Sequence, residues 1–177
     1  MGGINYNFLP FDFVMNVTDL EWCELLWAYK NKMITSDFLD KYVIDRIYRV
    51  DQLQGLLLDM SYAIDEESKL IILCKLAKEG VSKSIPLIQR KWLFLILYWL
   101  HDNMLDKDDI FDIVWFVFSD FNYPKSMNGF AKYMPAEDID TENLEVELPV
   151  NTNFSKYELV MIKKWKSFLE DEKKILK

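Results

Sequence analysis

Histidine occurs once in 177 residues, and that scarcity removes more chemistry than any other feature of the sequence. One imidazole and two cysteines, Cys23 and Cys74, cannot supply the four ligands of a structural zinc site. Ser-His-Asp and Cys-His catalysis are excluded as well, unless His101 itself is the base. A lone histidine near a helix C-terminus is more often a surface group complementing the helix dipole. Glycine is nearly as sparse, at positions 2, 3, 55, 80 and 129, so neither GxxxxGKS/T nor GxGxxG can be written. With five prolines besides, the chain lacks the turn signals of a β-sandwich or barrel.

There is no excess of basic charge. Formal net charge is −8, and a surface of that sign repels a phosphate backbone, so nucleic acid is not the expected partner. No apolar run is long enough for a membrane: the longest, Trp92 to Leu100, is about half of the roughly 20 residues a spanning helix needs. Met1 to Phe8 lacks a basic start followed by an apolar stretch, and Tyr6 replaces the Ser/Thr of a myristoylation signal. Cys23 and Cys74 have no CxxC spacing and read as small apolar residues in a reducing compartment. The expectation is a cytoplasmic protein, and few Arg among many Lys, Ile and Asn point to an AT-rich bacterial or phage genome.

What the sequence does have is apolar bulk (51% hydrophobic, 15% aromatic) arranged at helical spacing, enough to bury a core. Thr18 followed by Glu21 has capping-box spacing ahead of an apolar band at Leu20, Cys23, Leu26 and Trp27. Phe38, Leu39, Tyr42, Val43 and Ile47 make one face of a helix beginning after Thr35 or Ser36. Further helices are predicted over 53–64, 66–79 and 85–103, then one capped by Asp106 and one from about Ser155 to the end. Residues 1–17 read as extended, because Phe11, Phe13 and Met15 alternate with Asp12, Val14 and Asn16. Between 124 and 153 Leu144, Val146 and Leu148 alternate with Glu145 and Glu147, a short strand pattern in an acidic loop. The predicted fold is all-α: one domain, a bundle of about six helices in stacked αα-hairpins, with an irregular acidic insertion before the C-terminal helix. A faint echo, Leu26-Trp27-x-Tyr29 then Met33-Ile34-Thr35 against Ile96 to Trp99 then Met104-Leu105-Asp106, fits two such hairpins.

Two acidic regions are the candidate sites. Around α-helical residues His101 to Asp112 lie Asp102, Asp106, Asp108, Asp109 and Asp112, with Trp115 beside them as an aromatic anchor. Asp108-Asp109-x-x-Asp112 matches the DDxxD that holds Mg²⁺ in prenyl-diphosphate enzymes, since carboxylates so spaced can share a hard cation. Against this, no second acidic motif and no basic pocket for diphosphate accompany it, and an acidic first turn is ordinary helix chemistry. His101-Asp102 spells the pair of helical phosphohydrolases, whose sites need several histidines; an EF-hand lacks its Gly and closing Glu. The second region is Glu137, Asp138, Asp140, Glu142, Glu145 and Glu147, suited either to a basic groove or merely to solvent.

The stretch Trp22-x-x-x-Leu26-Trp27-x-Tyr29-Lys30-Asn31-Lys32-x-Ile34-Thr35 resembles a family of short, acidic, all-helical bacterial proteins of unknown function, similar in kind to immunity proteins. That resemblance implies no catalytic residues. The leading expectation is a non-catalytic inhibitor that occludes a basic protein, such as a bacterial toxin, without metal or cofactor. Alternatives are a metal-dependent enzyme acting on a phosphorylated substrate through Asp108, Asp109 and Asp112, and a helical adaptor. A monomer or weak homodimer is expected.

Overall fold

A computed structural model describes residue 6 and residues 9–49, 55–133 and 154–176. Among these the chain forms eight α-helices and no strand: α1 (Phe11–Val17), α2 (Trp22–Lys30), α3 (Ser36–Arg49), α4 (Gly55–Tyr62), α5 (Glu66–Glu79), α6 (Ile85–Met104), α7 (Ile110–Asp120) and α8 (Lys156–Ile175). The all-α class holds, with more helices than the six expected. None is long and apolar enough to cross a membrane. The described chain divides into two compact units, one running from Asn5 to Trp92 and one from Leu93 onward, so the division falls inside α6.

In the first unit α2 packs on α5, α4 on α3 and α5, and α1 on α3. The extended segment expected over 11–16 is instead helix α1. Pro10 starts it, its carbonyl accepting the Val14 N–H at 3.2 Å, and Val14 is fully buried while Phe11 meets Phe38 edge-on at 5.2 Å. The polar positions carried the helical signal: Asp12 and Asn16, both exposed, lie four residues apart. Thr18 is also not the cap of α2. It closes α1, its N–H donating to Val14 O, and the start of α2 falls to Glu21, whose N–H is accepted by the Glu24 carboxylate at 2.8 Å. Thr35 does cap α3, its Oγ1 accepting the Phe38 N–H, and Asp65 caps α5 through Ser68. Cys23 and Cys74 are half-buried free thiols.

Glu24 is the buried polar centre of this unit. Lys91, itself buried, reaches its carboxylate at 2.9 Å and also donates to Asp19 O, while Lys83 approaches at 3.0 Å. Burial opposes the charge on Lys83, but the hydrogen bond and charge of Glu24 outweigh it and hold the ammonium above its ordinary range. Lys69 is likewise buried, clasped by both oxygens of Asp40 and by Ser36 Oγ.

The second unit is built on the rest of α6, with α7, a 3-10 turn at Lys125–Met127, and α8. Leu93 to Leu97 are all buried, and Trp165 of α8 has no exposed surface, stacking on Phe130 with His101 against it edge-on at 5.4 Å. Ser155 caps α8 by a reciprocal box with Glu158, as the sequence predicts. Asp106, expected to cap α7, lies three residues too early: Asp109 is the N-cap, through its backbone carbonyl. The larger part of the acidic insertion, 134–153, with its expected strand at 144–148 and with Glu137, Asp138, Asp140, Glu142, Glu145 and Glu147, lies outside the described residues.

Candidate protein-binding surface

Helix α7 sets the geometry of the site. Residues at i, i+3 and i+7 share one side of a helix, which places Asp112, Trp115 and Ser119 together. Asp112 is bound by Lys132 at 2.5 Å, and this hydrogen bond raises the lysine above its usual range. The same ammonium lies 5.5 Å from the ring centre of Tyr133. Trp115 is half-buried and at the middle of an aromatic cluster, with Tyr133 edge-on at 5.5 Å, Phe118 at 5.5 Å and Tyr123 at 6.4 Å. Phe118 in turn meets Tyr123 edge-on at 5.2 Å, and the Tyr123 hydroxyl is 3.3 Å from Ser119 Oγ.

Both tyrosines are unusually held. Asn122, Tyr123 and Tyr133 have φ of 60°, 57° and 67°, the left-handed region that bulky residues avoid at about 1–2 kcal/mol each. The chain end of α7 stabilises the first two, since the Tyr123 and Asn122 N–H groups donate to Phe118 O and Ser119 O. Yet Tyr123 stays 55% exposed and Tyr133 72% exposed. The two rings thus pack edge-on against Phe118 and Trp115 while keeping most of their surface in solvent, at a cost in backbone strain.

Asp106, Asp108 and Asp109 are exposed at the α6–α7 connection, where Asp108 and Asp109 also favour the positive end of α7. Asp102 is exposed at the end of α6 and engages His101 Nδ1 at 3.1 Å. The carboxylates are therefore not one cluster: Asp102 is tied to His101, Asp112 to Lys132, and the other three face solvent. No group of three or more His, Cys, Asp or Glu side chains converges as metal ligands among the described residues, so the DDxxD spacing is not matched by a ligand set. The sequence singles out Trp115 and Asp112; the structure brings Lys132, Tyr123 and Tyr133 to them, which the sequence does not single out. Tyr123-Pro124 is visible only as a stop signal, and nothing local marks Tyr133.

Comparison with known proteins gives one finding. Residues 11–173 match a family described as an uncharacterized protein conserved in bacteria (DUF2247). No curated protein matches, and no solved structure matches.

Proposed function

This chain belongs to the bacterial family just described, and from that premise we propose that it is a non-catalytic binding protein, an immunity- or antitoxin-type inhibitor that occludes a basic protein partner such as a toxin. The observation that carries the reading is the exposed aromatic cluster of Tyr123, Tyr133 and half-buried Trp115 on and after α7, the helix whose N-terminal end carries exposed Asp108 and Asp109. Aromatic rings bury large area at small entropic cost and dominate binding energy, while surrounding charge sets encounter rate and selects the sign of the partner. The sequence contributes six further carboxylates between Glu137 and Glu147 to the acidic excess of the chain. Inhibition is by occlusion in the cytoplasm, with no bond made or broken.

The experiment is affinity capture by the tagged full chain from lysates of its own and neighbouring bacterial strains, at low and then moderate salt. A single basic protein held in stoichiometric amount by the wild type, and lost by Tyr133→Ala and Tyr123→Ala, is the expected result. Equal retention by those variants sinks the proposed surface; absence of any basic partner sinks the inhibitor reading.

A further inference from the structure

The first unit holds an open cleft of about 880 Å³, within the size range of small-molecule sites, between the start of α2 and the ends of α3 and α5, with α4 along one side. Its apolar wall includes Trp22, Leu57 and Leu76. Trp22 is fixed from two sides. Its ring meets Tyr42 edge-on at 5.1 Å, and Tyr42 is itself anchored by donating its hydroxyl proton to Leu20 O. Gly80 completes the fit, since a Cβ there would sit 3.2 Å from Leu76 O and 3.5 Å from the indole Cδ1. The indole is thus packed between Tyr42 and the end of α5.

The charges lining this cleft are unequal. Glu21, Asp59 and Glu79 face one cation, Arg46, whose guanidinium is drawn over the Tyr42 ring at 5.7 Å. Asp59 and Glu79 are exposed and, among the described residues, engaged by no ion pair. Among the described residues of this unit Glu24, Asp37, Asp40 and Asp45 each have a basic partner, while Asp12, Glu66 and Glu67, on surfaces away from this cleft, have none. A concave apolar wall with an indole, under unneutralised carboxylates, suits an ammonium or guanidinium carried on an apolar body: the indole face and the carboxylates attract the charge, and the wall covers the body. A bare metal ion does not suit it, because no three carboxylates converge among the described residues.

We propose that this cleft is a binding site for an amphipathic organic cation. It is in the other unit from the α7 surface, and it stands or falls independently of the inhibitor reading.

The test is titration of the ¹⁵N-labelled full chain with hexyltrimethylammonium, following the Trp22 indole N–H, assigned with Trp22→Phe. Tetramethylammonium and hexanesulfonate are titrated in parallel. The expected result is a saturable shift with hexyltrimethylammonium, a weaker one without the tail, and none with the sulfonate. Neutralising both free carboxylates (Asp59→Asn with Glu79→Gln) weakens binding about fivefold, as expected for two partly screened charges. Removing the same charge elsewhere (Asp12→Asn with Glu170→Gln) leaves it unchanged. All four substitutions are at exposed positions, so folding is preserved and is checked by circular dichroism. No saturable shift, equal binding of the sulfonate, or equal weakening by both double variants overturns the proposal.

Discussion

Glu24 is 1% exposed, and its carboxylate is tolerable there only because Lys91 and Lys83 both reach it while the Glu21 N–H fills a remaining lone pair. Removing one partner of such a group leaves the other charge buried and alone. Glu24→Ala is therefore expected to destabilise the first unit by about 3–5 kcal/mol in urea unfolding. Adding Lys91→Met should recover a large part of that loss, and strict additivity of the two would refute the pairing. A second residue responds to pH. Burial raises the Tyr42 phenol from 10.0 to about 12, so the unfolded chain loses this proton first. The stability it contributes is complete below pH 10 and is lost as pH rises to about 12, and Lys83, also raised, acts with the same sign in the alkaline range. The urea midpoint should fall across that window, and Tyr42→Phe should flatten the fall. An unchanged slope in that variant would remove Tyr42 from the account.

At the scale of elements, helix ends decide what can be read in advance. α3, α5, α6 and α8 show a long apolar period and a distinct first residue, and their expected spans agree with the structure to within a few residues. α1 is only seven residues long, and over that length alternation and helical spacing compete; the buried Val14 belongs to the polar set if the segment is taken as a strand. Thr18 and Asp106 misled for one physical reason. Each is a good capping residue, but each sits where the preceding turn is still closing, so the helix starts three residues later at Glu21 and Asp109. Ser155 has no helix before it among the described residues to close, and its reciprocal box with Glu158 forms. Ser155→Ala should cost about 1 kcal/mol and raise amide exchange in the first turn of α8. Gly129 is the other fixed point near that helix: its φ of +99° strains any L side chain, so Gly129→Ala is strained by its backbone, while the Lys164 side chain 2.8 Å from where a Cβ would stand can swing aside. It should destabilise by more than the ~1 kcal/mol such a change gains where it fits, and a stabilising outcome in thermal melts would contradict the turn described here.

Over the whole molecule, charge and aromatic surface separate into different roles. From Leu93 onward the sequence has sixteen acidic residues against ten basic ones, while the earlier part has thirteen against eleven, so the part that carries Trp115 has the larger acidic excess. That imbalance is legible from composition alone. The arrangement of the surface is not: Lys132 and Tyr133 come to Asp112 and Trp115 across some twenty residues of sequence, and only tertiary packing joins them. A long-range field and a local patch act on different rate constants. With the captured partner in hand, Asp108→Lys with Asp109→Lys should slow association about tenfold or more and leave dissociation nearly constant, and the deficit should shrink as salt screens both forms. Tyr133→Ala should do the reverse, speeding dissociation by about tenfold at unchanged salt dependence, because a ring contributes only after contact. If the charge reversal acted on dissociation and the tyrosine on association, the aromatic cluster would be a structural edge of α7 and the binding surface would have to be sought on another face.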